Sequence, residues 1–145
     1  KTNDLLTGRG WVMGIQTFKL YPELWNAKAT PNYYTTFPSG SISTATWTYL
    51  AFTFKKNDVM RGYVNGQQVN STNVNNNNIG TATMNLTIGA EPWNAPPTQW
   101  FANARIDEVR LSNLVRSAPW ISTGYNNTYS PGTFHYPGSQ LGWTC

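Results

Sequence analysis

The dipeptide Asn65-Gly66, set between Tyr63-Val64 and Gln67-Gln68, constrains the fold more than any other short feature of this chain. Both residues accept positive φ, which a two-residue type I′ turn demands, so "RGYVNGQQV" (61–69) reads as a β-hairpin. Upstream, "TATWTYLAFTF" (44–54) is the strongest strand. Trp47, Tyr49 and Ala51 alternate with Leu50, Phe52 and Phe54, and with both faces apolar the pattern predicts a central strand covered on each side. Trp11, Trp47 and Trp120 are assigned to the core.

The same period-2 reading extends along the chain. "GWVMGIQTFKLY" (10–21) gives one or two strands and "YYTTF" (33–37) another. "TATMNLTIGA" (81–90) turns Met84, Leu86 and Ile88 inward and Asn85 and Thr87 outward. In "FANARIDEVRL" (101–111), Ile106 and Val109 cannot both face a core from a regular strand, and a β-bulge near Asp107-Glu108 reconciles them. "NSTNVNNNNIG" (70–80) reads as an exposed Asn-rich loop, and "EPWNAPPTQW" (91–100), with its three prolines, as another. One short helix is expected near 117–124, with Ser117 as N-cap, Pro119 in the first turn and Gly124 as the stop. "GTFHYPGSQLGW" (132–143) reads as a terminal strand. Many short strands without βαβ spacing predict an all-β chain, a two-sheet antiparallel sandwich with at most one short helix. At 145 residues it fits a single domain, 1–145, able to bury about 68–70% of its unfolded surface.

Charged residues are scarce, 11% against about 25% in an average domain. Polarity rests instead on 17 Asn, 19 Thr and 9 Ser, and aromatics reach 14%. Such a hydroxyl- and amide-rich surface suits an extracellular or cell-surface protein. The net charge of +4 is spread over scattered Lys and Arg, only Lys55-Lys56 being adjacent, so no basic stripe supports nucleic-acid binding. No apolar run of 18 residues exists to insert into a membrane. The single cysteine, Cys145, closes the sequence and allows no internal disulfide. The start at Lys1, without Met or a leader, reads as a cut or processed start.

"TWTYLAFTF…RGYVNGQQV…LTIGA…FANARIDEVRLSNLVRSAPWISTGYNN" resembles the laminin-G-like/concanavalin A-like lectin-glucanase jelly roll of bacterial and archaeal surface proteins. The likeness is good over 44–127 and weak over 10–21, with "GTFHYPGS" (132–139) as the closing strand. Ala104 stands where that family often has Gly. The resemblance implies a jelly-roll sandwich with strands preceding the position of Lys1. The numbered chain is then expected to lack N-terminal strands and to be the C-terminal portion of a larger domain or protein, or to have a neighbouring subunit fill the gap.

Two of the six acids are the adjacent pair Asp107 and Glu108. Glycosidases of the resembled superfamily carry two carboxylates on one strand face, and a retaining pair needs them about 5–5.5 Å apart. Neighbouring residues on a regular strand point to opposite faces, and positions 110–112 are Arg, Leu and Ser, so no catalytic residue is assigned and the chain is not expected to be an enzyme. The pair reads as structural, accepting backbone N–H groups or pairing with Arg105 or Arg110. No cofactor is required. The resemblance leaves Ca²⁺ open, with Asp58 or Asp107 as ligands, although no Asp-x-Asp loop exists.

Loop aromatics are the candidates for glycan binding, because their flat apolar faces stack on pyranose C–H faces while amides and hydroxyls pair with sugar hydroxyls. These are Trp25, Tyr33, Tyr34, Trp93 and Trp100, with Asn94 and Gln99 beside the last two; anchoring of the loop is the alternative role. Three glycosylation sequons begin at Asn70, Asn85 and Asn126. The sequence therefore predicts a non-catalytic extracellular binding or adhesion module recognising glycans within a larger surface protein. The alternative is a structural subunit of a filament, sheath or virion surface, a homo-polymer or an array of neighbouring subunits completed by strand addition.

Overall fold

A two-residue turn at Asn65-Gly66 joins β5 (Asp58–Val64) to β6 (Gln67–Val74), with φ of 50° at Asn65 and 77° at Gly66. This hairpin is half of the architecture in the computed structural model, which describes residues 10–25, 31–34, 42–74, 85–90 and 101–134. Of Trp25, residues 31–34 and Phe134 it describes the backbone alone. The remaining strands are β1 (Trp11–Gln16), β2 (Lys19–Trp25), β3 (Pro31–Tyr34) and β4 (Leu50–Thr53), followed by the helix α1 (Ala118–Tyr129) and a single helical turn, α2 (Pro131–Phe134).

The strands form two three-stranded antiparallel sheets, β1-β2-β3 and β4-β5-β6. Alternation places Leu20, Pro22 and Leu24 of β2 on one face, all fully buried. Met60 and Val64 of β5 and Val74 of β6 meet that face from the opposite sheet. Leu20 clusters with Val64, Leu50 and Ile42, and Leu24 with Met60, Val74, Trp11, Phe52 and Phe54. Trp11 and Phe52 lie 5.9 Å apart at 53°, and Phe52 stacks on Phe54 at 6.0 Å, so an aromatic row bridges the two sheets. The expected two-sheet antiparallel sandwich is thus present.

Several local expectations fail for identifiable reasons. β4 pairs only with β5, so among the described residues it is an edge strand, not a central one. Leu50, Phe52 and Phe54 do face the core, but Trp47 precedes the first laddered residue on the other side and is 67% exposed. Trp120, on the outer side of α1, is exposed as well. Residues 70–74, read as loop, continue β6, because Ser71 and Asn73 point their side chains outward and Val74 inward while the backbone ladders against Asp58–Gly62. Val69 is the extra residue of a bulge between Gly62 and Tyr63.

Residues 85–90 and 101–115 carry no strand, and Leu86 and Ile88, expected inward, are exposed. The one backbone bond recorded between these segments, Ala102 N–H to the Gly89 carbonyl at 2.7 Å, does not build a ladder. The strand expected over 101–111, and with it the bulge near Asp107-Glu108, is absent; Glu108 instead kinks an unpaired segment, with φ 54°. Residues 132–134, assigned to a terminal strand, belong to α2 instead. The remainder of that segment lies outside the described residues.

Ser117 caps α1 as expected, accepting from the Trp120 N–H at 3.4 Å. Gly124 does not end the helix, which continues to Tyr129 and stops before Pro131. The glycine serves a close approach: a Cβ there would lie 3.0 Å from the Tyr49 hydroxyl. Gly66 is confined in the same way, since a Cβ would meet Tyr125 Cβ at 3.0 Å and the Ser122 backbone at 3.1 Å. The helix therefore sits directly on the turn.

The β1–β2 connection is also a two-residue turn, but it places Thr17 (φ 50°) and Phe18 (φ 57°) in the left-handed region, where each non-glycine residue costs on the order of 1–2 kcal/mol. Urea unfolding of two variants should give opposite signs. Thr17→Asn with Phe18→Gly gains about 1 kcal/mol or more. Gly66→Ala loses about 2 kcal/mol or more, combining backbone strain with the clash on α1. Equal responses at the two turns would contradict the different packing described here.

Candidate functional site

The acidic pair lies in the exposed segment 101–115. The left-handed backbone at Glu108 turns its N–H back toward the preceding side chain, and Asp107 Oδ1 accepts from it at 2.8 Å. The same kink sends the Glu108 carboxylate forward to Arg110, whose guanidinium donates to Oε2 at 2.7 Å. One acid is thus held by its own backbone and the other by a neighbouring cation. Both partners of the ion pair are about half exposed, at 53% and 54%, so water solvates the pair freely. Among the described residues neither carboxylate is grouped with further acids, as a glycosidase carboxylate must be with its partner.

Asp58 opens β5 between two cations, with Lys55 Nζ at 3.9 Å and Arg61 at 4.0 Å. Among the described residues no group of three His, Cys, Asp or Glu side chains comes together to hold a metal. Asp58 and Asp107 belong to separate segments. A calcium ion at Asp58 would also have to displace two positive neighbours, so the described side chains do not fit it.

Of the residues expected to bind glycans, Trp93, Asn94, Gln99 and Trp100 lie outside the described residues. Trp25 ends β2, where the register slips so that it pairs with Pro31; Tyr33 and Tyr34 of β3 stand opposite Leu24 and Glu23. The three are therefore brought together by one ladder. Among the sequon asparagines, Asn85 and Asn126 are exposed, whereas Asn70 lies half-buried in β6 with its Oδ1 accepting from the Ser71 N–H at 2.8 Å.

A second aromatic group escaped the sequence reading. Asn65 fastens the end of β4 to the turn: its N–H donates to the Tyr49 carbonyl at 2.8 Å, and its Oδ1 accepts from the Tyr49 N–H at 3.0 Å. Tyr49, fixed in this way, meets Tyr125 of α1 edge-on at 6.0 Å and 64°. Tyr125 stacks in turn on Tyr129 at 5.3 Å and 23°, and Tyr129 is 73% exposed. At the other end of the helix, Arg116 lies over the Trp120 ring, 4.6 Å from its centroid, and donates from Nε to the Ser112 hydroxyl at 3.1 Å. The i, i+4 spacing of Tyr125 and Tyr129 was the available signal, hidden by ending the helix at Gly124.

No described helix is long and apolar enough to cross a membrane. The family model for the concanavalin A-like lectin/glucanases superfamily, of the laminin-G type, matches residues 4–122. A crystal structure of an S-layer domain-containing protein from Clostridium thermocellum is similar, with 17% identity and a TM-score of 0.48. The match covers 82% of this chain but only 64% of that one, so this chain spans just under two-thirds of its length. No curated protein matches the sequence.

An exposed ion pair stabilises a fold by no more than about 1 kcal/mol. Glu108→Gln should accordingly shift the urea midpoint only slightly; a loss of several kcal/mol would mean that the pair is part of a buried network.

Proposed function

Because this chain belongs to the laminin-G-type family of the concanavalin A-like lectin/glucanase superfamily, we propose that it is a non-catalytic extracellular module that recognises glycans at a cell or particle surface. The observation that carries the reading is the disposition of Asp107 and Glu108. Their oxygens are committed to a backbone N–H and to Arg110 in open solvent, so the only adjacent acids of the sequence are unavailable as an acid/nucleophile pair. What remains on such a sandwich is binding without turnover.

The surface chemistry agrees. Asparagine, threonine and serine supply hydroxyl-matching donors and acceptors, and charge is sparse. Trp93, Trp100, Asn94 and Gln99, with Trp25, Tyr33 and Tyr34, remain the proposed contacts, and Asn70, Asn85 and Asn126 the proposed sites of attached glycan in a secretory setting.

A second reading, a structural subunit completed by strand addition, is favoured by one specific observation. β1 is the edge of its sheet among the described residues and exposes Met13 and Ile15, while Ile106, Val109, Leu111 and Leu114 lie exposed on a segment without regular secondary structure.

Co-sedimentation with insoluble polysaccharides, followed by assay of released reducing ends, tests the proposal. The expected result is retention on at least one polysaccharide, lost in the Trp93→Ala/Trp100→Ala variant, with no sugar released. Release of reducing ends that stops in Glu108→Gln would overturn it. Ordered polymers formed without added glycan would favour the strand-addition reading.

A further inference from the structure

We infer that the stack formed by Tyr125 and Tyr129 over the Asn65-Gly66 turn is a second glycan-binding platform, specific for neutral sugar chains. The inference rests on the proposed glycan reading but uses none of the residues assigned to it. Three observations support it.

The first is rigidity. Tyr125 is half-buried and fixed on two sides, by the Tyr49 ring and by the Gly66 backbone, which leaves no room even for a methyl group. Tyr129 leans on it with the planes 23° apart. An aromatic ring already held in place loses little side-chain entropy when a ligand covers it.

The second is openness. One face of Tyr129 is covered by Tyr125 while 73% of the residue remains in solvent. A tyrosine held flat against a neighbour, with its other surface uncovered, presents the planar apolar patch on which the C–H face of a pyranose ring can lie.

The third is charge. Beyond Asp58 and Arg61 at the far end of β5, the turn, β6 and the helix carry no charged side chain: Asp, Glu, Lys, Arg and His are absent from residues 62–90 and from 117–134. The nearest cation before the helix in sequence, Arg116, precedes its N-cap, and the helix from Ala118 to Tyr129 is itself about 17 Å long at 1.5 Å per residue. Exposed polar groups on the same elements include Thr128 of α1 and Gln67 and Gln68 of β6. Amides donate and accept toward hydroxyls without selecting a sign of charge. A phosphate backbone, an acidic polysaccharide or a charged peptide would find no counter-charge on residues 62–74 or 117–134, whereas a neutral hexopyranose chain needs none.

The test is binding of the 145-residue chain to an array holding neutral hexaoses of glucose, mannose and N-acetylglucosamine beside polygalacturonate and a sulfated glycan. The chain is compared with Tyr129→Ala, Tyr129→Trp and Trp93→Ala/Trp100→Ala. Tyr129 is exposed, so its variants should melt with the parent chain. The expected result is a neutral hexaose bound on the order of tenfold more weakly by Tyr129→Ala, with binding kept or strengthened by Tyr129→Trp. A neutral ligand bound equally by the parent and Tyr129→Ala, but lost in the Trp93/Trp100 variant, overturns this platform and leaves the glycan reading standing. Binding to the acidic glycans alone also overturns the platform. Failure of the parent chain to bind any glycan overturns both.

Discussion

The structure turns on the two residues Asn65 and Gly66. The turn itself requires only that both take positive φ, which this pair does at low cost. Each then performs a second task. The Asn65 backbone and side chain together satisfy both the N–H and the C=O of Tyr49, so the turn continues the β4 ladder beyond the last paired strand residue. Gly66 offers a surface without a side chain on which α1 rests. Strand pairing, sheet extension and helix docking converge on one dipeptide, and the burial of Val64 beside Leu20 follows from the register this turn fixes.

The interior is small and aromatic at its margins. Leucine, methionine and valine from two sheets fill it, and Trp11, Phe52 and Phe54 close one flank. The described charged side chains stay at the surface, in exposed or half-exposed pairs such as Glu108 with Arg110 and Asp58 with Lys55. Among the described residues the titratable side chains form no cluster that could hold a metal, and much of the exposed surface is asparagine, threonine and aromatic.

How much of this was legible in the sequence varied with the range of the forces involved. The Asn-Gly hairpin and the Ser117 cap were read correctly because each is settled within four residues by backbone geometry. The sandwich was legible from alternation and from the quoted resemblance. Gly124 was misread as a stop because the reason for a glycine there, the Tyr49 hydroxyl, lies far away in sequence. Trp47 and Trp120 were placed in the core by residue type, yet which face of an edge strand or a surface helix is covered depends on neighbours that no local pattern encodes. Residues 70–74 looked like loop because asparagine resists ladders on average; a partner strand with matching register outweighed that preference. For the acidic pair, the strand that the spacing argument assumed is absent, and the partner of each carboxylate required coordinates.

The glycine at the middle of α1 has a thermodynamic consequence. A helix of 12 residues with an internal glycine, threonines and asparagines has little tendency to persist alone in water. It exists as a guest of the hairpin, held where Tyr49 fills the space that a side chain at 124 would take. Undocking and unwinding of α1 are then one event. A molecule gripping the last turn of the helix draws its affinity partly from the strand pairing beneath, and it returns that free energy as slower opening of the whole corner.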